Sequence, residues 1–512
     1  MYQSPLLIVS GARWCFAKFR DNKIPFLSST FIGLLCYMYA FTNKLLNHDE
    51  ARSLFIKGAT VTPGRWGLGA LDTVFPNHSM PWIYGIISIV LISTAICIIL
   101  RILSIRNPVL QALLSGTVIA FPSLIGTFAY MFTASSFALS FLMAVLAVWF
   151  LQRKGIWNTF LALGCMIFSL SIYQSYISLA AGLLVVLLLQ QTLRLTPFQT
   201  LIRTGIGYVL FLVASLGLYY VATEVILILK DVAFNDYASG NMGFSIANIP
   251  AAIAEAYRSF LRFFTEGYRG LIPTRFSRYL HAALLLASLV MLICRMVHLR
   301  SIPHIILAAA LTVILPLAVN CMYLFTTADA VHTLVLYGFV NLYALFVVLA
   351  ECSLPCAEEK TSFFTRAAVN ILTFLMALII VCNTYLANQA WLNLHLRYEN
   401  AYAFYSSLLS DLRQMPEFDE NCSIALIGNY QDPAFYSEHF AFLSEITGTK
   451  GFLPDSYSKQ FFMEYYLGVS IPFVTDAQVH SLSALPQVQQ MNTYPYYGSI
   501  CMIDKTIVIK LS

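Results

Sequence analysis

Apolar residues in this chain fall into long unbroken runs separated by short polar connections, with little of the strict alternation that marks a half-buried strand. Eleven such runs lie near residues 26–46, 81–100, 107–122, 130–151, 156–172, 176–191, 204–226, 279–294, 303–322, 333–350 and 367–387. Each is long enough, or nearly so, to cross a bilayer as a helix. Basic residues mark every second connection. Arg13, Lys18, Arg20 and Lys23 precede the first run, and Arg101 with Arg106, Arg153 with Lys154, Arg194 with Arg203, Arg295 with Arg300, and Lys360 with Arg366 follow in turn. The intervening turns at 123–127, 173–176 and 323–332 contain neither Lys nor Arg. Because Lys and Arg are retained on the cytoplasmic side, the alternation predicts a cytoplasmic N-terminus. It places 47–80, 227–278 and everything after 387 outside. The expected fold is an α-helical polytopic membrane protein with a cytoplasmic segment 1–25, a transmembrane domain 26–387 and a small external α/β domain 388–512.

Two external regions carry their own patterns. From Ile249, apolar Ile253, Ala256, Tyr257, Phe260 and Phe264 recur at three- and four-residue steps, with Glu255, Arg258, Arg262 and Glu266 opposite them. That period predicts an amphipathic helix, begun by Asn248 and Pro250. It is read either as lying in the outer interface or as packed against the tail. In the tail, 395–415 reads as a helix, SIALIG (423–428) as a strand, and SICMIDKTIVIKLS as a hairpin turning at Asp504 and Lys505.

Composition sharpens this picture. Of 512 residues 59% are hydrophobic and 11% charged, far from the balance of a soluble protein. The net charge of +5 hides a division: the tail from Asn388 carries −6 and the remainder +11. The basic excess is dispersed over loop ends, which argues against a nucleic-acid partner. The eleven cysteines are scattered, mostly within the apolar runs, and no metal-binding spacing emerges. Cys422 and Cys501 alone lie in the tail, where a disulfide is possible. The first apolar run follows a long basic segment without a clear small-residue cleavage site, so it reads as a retained anchor.

Ionisable residues concentrate in one stretch, NHDEARSLFIKGATVTPGRWGLGALD (47–72), with His48, Asp49, Glu50, Arg52, Lys57, Arg65 and Asp72. Such clustering beside a membrane suggests acid-base chemistry or anion binding. A carboxylate at Asp49 or Glu50 can accept a proton from an alcohol, and an arginine can neutralise a departing phosphate. The alternative is a solvated helix cap with salt-bridge partners. Arg65 and Trp66 follow a turn begun by Pro63 and Gly64, and read as phosphate and sugar contacts or as an interfacial anchor. Tyr173 and Gln174, in SIYQSYIS, face either headgroups or a cavity. Arg269 is a further candidate for a phosphate. No Walker loop, HExxH, paired CxxC or Ser/His/Asp order is present.

The order HDEARSLFIKG, PGRWGLGALD, SIYQSYIS and a final YPYYGSICMIDKTIVIKLS resembles the bacterial serotype-converting membrane glucosyltransferase family of the GT-C superfamily, over nearly the whole chain. The resemblance implies transfer of glucose, with inversion, from undecaprenyl-phosphate glucose to O-antigen on the periplasmic face of the inner membrane. The implied partners are that lipid-linked donor, a polysaccharide acceptor and the membrane itself; no cofactor is implied. It puts Asp49 at the place of the superfamily's acidic base, with Glu50 as substitute where the family often has a second Asp. His332 is the further substrate-binding candidate, although VHTLVLY shows Thr333 and Leu334 where a basic residue is expected. Two rival functions are an O-antigen polymerase, also many-spanned, and a lipid or polysaccharide flippase. The flippase predicts charges within the spans along a transport path, and these spans are nearly free of them.

Overall fold

The computed structural model describes residues 21–55, 58, 60–72, 74, 78–234, 246–354, 363–419, 421–428, 438–449 and 456–511. Arg13, Lys18, Arg20, Lys57 and Lys360, and the stretch 235–245 of the expected interfacial segment, lie outside these. Every one of the eleven apolar runs folds as helix. In order they are α1 (Lys23–Thr42), α4 (Pro81–Ile102), the pair α5 (Pro108–Ile119) and α6 (Ser123–Ala129), α7 (Met131–Leu151), α8 (Ile156–Ile172), α9 (Tyr176–Leu193), α10 (Phe198–Lys230), α12 (Arg275–His298), α13 (Ile302–Val319), a 3₁₀ turn leading into α14 (Val340–Ser353), and α15 (Phe363–Arg413). Among the described residues nine helices are long and apolar enough to span a membrane, ten if the bent pair α5 and α6 counts as one, and α8 is a shorter apolar helix. The protein is a multi-pass helical membrane protein.

Local chemistry explains the breaks. Asn107 starts α5, its Oδ1 accepting from the backbone N–H groups of Val109 and Leu110, with Pro108 in the first turn. Pro122 then ends the helix, because it has no N–H for the carbonyl of Val118 four residues earlier. Two buried tyrosines from other helices repair the damage. Tyr337 Oη donates to the Val118 carbonyl at 3.0 Å, and Tyr37 Oη donates to that of Ile119 at 2.9 Å. With no water in a bilayer core, freed backbone groups need such internal partners. The chain therefore bends by 49° there, and Ser123 Oγ of α6 donates to the Thr333 carbonyl at 2.7 Å.

The expected amphipathic helix forms as α11 (Ile249–Thr265), and it packs on the bundle instead of on the tail sheet. Asn320 Nδ2 donates to the Ala256 carbonyl, and Ser259 Oγ to Tyr323 Oη. Its deepest aromatic is Phe263, which stacks on Phe339 at 4.5 Å, with Phe260 and Phe264 flanking it. The period in the sequence located this face, but centred it somewhat less than a quarter of a turn away from Phe263.

In the tail, β1 (Ser423–Ile427) pairs in parallel with β3 (Thr506–Lys510), which pairs antiparallel with β2 (Ile500–Ile503), giving the order β1-β3-β2. The hairpin turns at Asp504, whose φ of +52° is the left-handed conformation a tight turn requires. Cys422 and Cys501 are both free thiols. The boundary expected at 388 falls inside α15, a continuous helix of 51 residues. Leu372, Met376, Trp391 and Leu394 of this helix belong to the bundle core. Farther along, Tyr405, Leu408 and Leu412 belong to the tail core.

Candidate functional site

The opening loop is built between the bundle and the tail. Leu46 is fully buried in the tail core, and the next residue begins a short helix, α2 (His48–Arg52). Asn47 caps it, its Oδ1 accepting from the N–H groups of Asp49 and Glu50 at 2.9 Å each, while its Nδ2 donates to the Ala129 carbonyl at 2.6 Å. The tail helix α16 (Ser456–Leu467) packs on the outer side of α2, where Phe55 meets Tyr465 edge to face.

The two adjacent carboxylates meet different surroundings. Glu50 is fully buried; Lys44 Nζ donates to its Oε2 at 2.7 Å and the Phe132 N–H to its Oε1 at 3.0 Å. Asp49 is 39% exposed, with His48 Nε2 3.4 Å from its Oδ2. A carboxylate already holding an ammonium and an amide is committed to structure, whereas Asp49 keeps part of its carboxylate at the surface beside an imidazole.

Arg65 stands at a turn in which Gly64, at φ +75°, allows the Arg65 N–H to donate back to the Thr60 carbonyl. This turn is pinned to the bundle by the other candidates. Gln174 Nε2 donates to Tyr219 Oη at 2.9 Å and to the Pro63 carbonyl at 3.3 Å, Tyr219 Oη donates to the Gly64 carbonyl at 2.9 Å, and Trp66 Nε1 donates to Thr223 Oγ1 at 3.1 Å. Tyr173, stacked on Phe137, offers its ring face to the Arg65 guanidinium 5.3 Å away. Gln174 and Trp66 thus hold the turn, and Tyr173 backs the guanidinium. Arg65 Nε is buried without a hydrogen-bond partner among the described residues.

Arg269 and His332 complete a basic group. Arg269 has a φ of +53°, and its side chain donates to Tyr268 Oη and to the Ala328 carbonyl, both at 3.3 Å. Burial and then the charges of Arg65 and Arg269 push the His332 imidazole down to about 4, so the ring is neutral at physiological pH. Sequence reasoning missed Thr447, whose Oγ1 lies 3.3 Å from His332 Nδ1. It also missed Lys44, Tyr219 and Thr223; nothing in their spacing distinguishes them from ordinary span-end residues. Among the described residues no three His, Cys, Asp or Glu side chains gather as a metal site.

A family model described as Glucosyl transferase GtrII matches residues 38–344, well over half of the chain. The chain belongs to the GtrII glucosyl transferase family. This GtrII protein is therefore a membrane glycosyltransferase, with a sugar donor and a polysaccharide acceptor. All eight candidates (Asp49, Glu50, Arg65, Trp66, Tyr173, Gln174, Arg269 and His332) lie within the matched residues, whereas the tail elements touching the candidate site do not. No curated protein and no solved structure matches the chain.

Proposed function

We propose that this protein transfers glucose from undecaprenyl-phosphate glucose to O-antigen or a related surface polysaccharide, on the periplasmic face of the bacterial inner membrane, with inversion at the anomeric carbon. Asp49 takes the proton of the acceptor hydroxyl as its oxygen bonds to the anomeric carbon. The bond from that carbon to the phosphate oxygen breaks with its electron pair, and undecaprenyl phosphate leaves. Arg65 and Arg269 balance the phosphate charge, and neutral His332 offers an N–H to it. Tyr173, Trp66 and Gln174 shape the sugar side by fixing the turn that carries Arg65. Glu50 holds the loop in place.

The observation that carries this reading is the buried Arg65 Nε without a hydrogen-bond partner among the described residues, together with Arg269, whose carbonyl is held by Thr333 next to His332 and whose charge acts with that of Arg65 on the His332 ring. Two cations repelling a proton from a third basic group form a site suited to an anion. A flippase is disfavoured because, among the described residues, no Lys, Arg, Asp or Glu is buried within the spans. The test is donor consumption by the purified protein in detergent, supplied with undecaprenyl-phosphate glucose and acceptor polysaccharide, beside Asp49→Asn. Turnover by the native chain alone is expected; equal turnover by both removes Asp49 as base, and no turnover by the native chain removes the donor.

A further inference from the structure

Residues 438–449, which belong to the tail in sequence, pack into the bundle as a strap. Leu443 and Ile446 are fully buried in the bundle core and belong to neither cluster of the tail. The strap is stitched to both walls. Thr333 Oγ1 donates to the Glu445 carbonyl at 3.0 Å and to the Arg269 carbonyl at 2.7 Å. Asn393 Nδ2 of α15 donates to the Thr449 carbonyl at 3.0 Å. Between these anchors Thr447 meets His332, and Gly448 passes so close to Ala129 that an added Cβ would lie 2.6 Å from the Ala129 Cβ, at a φ of +87°. The same strap thereby touches the segment whose Tyr130 ring meets that of His48, beside Asp49. It bridges the acidic and basic parts of the site, and it lies entirely outside the residues 38–344 that define the family.

We propose that Thr447 is a positioning residue, which orients the His332 ring so that Nε2 faces the phosphate of the lipid-linked donor, and that the strap is how the tail controls donor binding. The assignment rests on the phosphate site proposed above. A ring with one nitrogen tied to a hydroxyl keeps its other nitrogen at a fixed angle, whichever of the two groups donates. Without the hydroxyl the ring loses this tether and the anion loses a fixed donor, whereas catalysis at Asp49 is left largely as it was.

The experiment measures binding of undecaprenyl phosphate to the full-length protein in detergent, together with KM and kcat for its glucosylated form. Thr447→Val removes the hydroxyl at nearly constant volume. A neutral hydrogen bond is worth about 1 kcal/mol, or roughly fivefold. Thr447→Val is expected to weaken binding and raise KM by about that factor with kcat little changed. Thr447→Ser should restore both, and Gly448→Ala, which displaces the strap, should weaken binding further. Native binding with equal affinity in Thr447→Val overturns the assignment, and so does equal damage from Val and Ser. Failure of the native protein to bind undecaprenyl phosphate overturns the phosphate site and the strap's role with it. Binding without turnover of the glucosyl lipid sinks only the donor reading, and the affinity ratio between Val and Ser still decides the strap.

Discussion

Around Glu50 both carboxylate oxygens have a donor, whereas a buried guanidinium nitrogen of Arg65 has none among the described residues. The acidic side of the site is finished by the protein itself: cap, ammonium, amide and a tail helix hold α2 whether or not a substrate is present. On the basic side two arginines and an imidazole gather with their charges only partly answered. Such an arrangement is costly in isolation and becomes favourable when an anion enters. One side is built to hold a geometry, the other to receive a ligand. Asp49 marks the difference most clearly, since it shares α2 with Glu50 yet stays open to solvent.

The sharpest way to break this contrast is to interchange the fates of the neighbouring carboxylates. Asp49→Asn keeps shape and removes the base, so turnover should fall by about 10² to 10⁴ with expression and donor binding preserved. Glu50→Gln should instead act on stability. It leaves Lys44 without a charged acceptor, at a cost of about 1–3 kcal/mol, visible as a lowered midpoint in thermal unfolding, while the folded fraction keeps most of its activity. An inactive Glu50→Gln protein of native stability would reverse the two roles. On the basic side, Arg65→Lys preserves charge but loses the planar fork and its contact with Tyr173. We expect roughly a tenfold rise in KM for donor, about 1.4 kcal/mol of binding, with kcat changed less; an unaltered KM would remove Arg65 from the phosphate contact. The smallest effect concerns acidity. His332 is neutral in the fold down to about pH 4, whereas in the unfolded chain it gains a proton below about 6.5. Its contribution to stability is therefore complete above 6.5 and is lost as pH falls from there toward 4. Thermal midpoints followed over that window should decline less steeply in His332→Gln than in the native protein, and identical slopes would count against a buried neutral ring.

The bundle was the legible part of this molecule. Length and apolarity decide whether a segment is a membrane helix, and both are local properties, so all eleven runs are helical and the Asp504 hairpin is where its turn residues put it. Continuity across residue 388 was not legible, because hydropathy changes there while helix propensity does not. In the site, the contents of 47–72 stood out by charge density. The partnership of Arg65, Arg269 and His332 did not, since it depends on how the 3₁₀ turns at Tyr268–Gly270 and Thr333–Phe339 meet across the bundle. The strap was least legible of all. AFLSEITGT has neither a helical nor a strand period, and its place against His332 follows from the burial of Leu443 and Ile446 in the bundle.

The unbroken helix α15 has a mechanical meaning. At 1.5 Å per residue its 51 residues extend about 77 Å, against a bilayer core of about 30 Å. A rod of that length, buried in one core below and another above, behaves as a mast. Any tilt that a thicker or thinner membrane imposes on the last span is carried upward to the tail, and with it to α16 against α2 and to the strap against His332. The last span and the tail are thereby one element, and a tilt of the first moves the contacts that the second makes with α2.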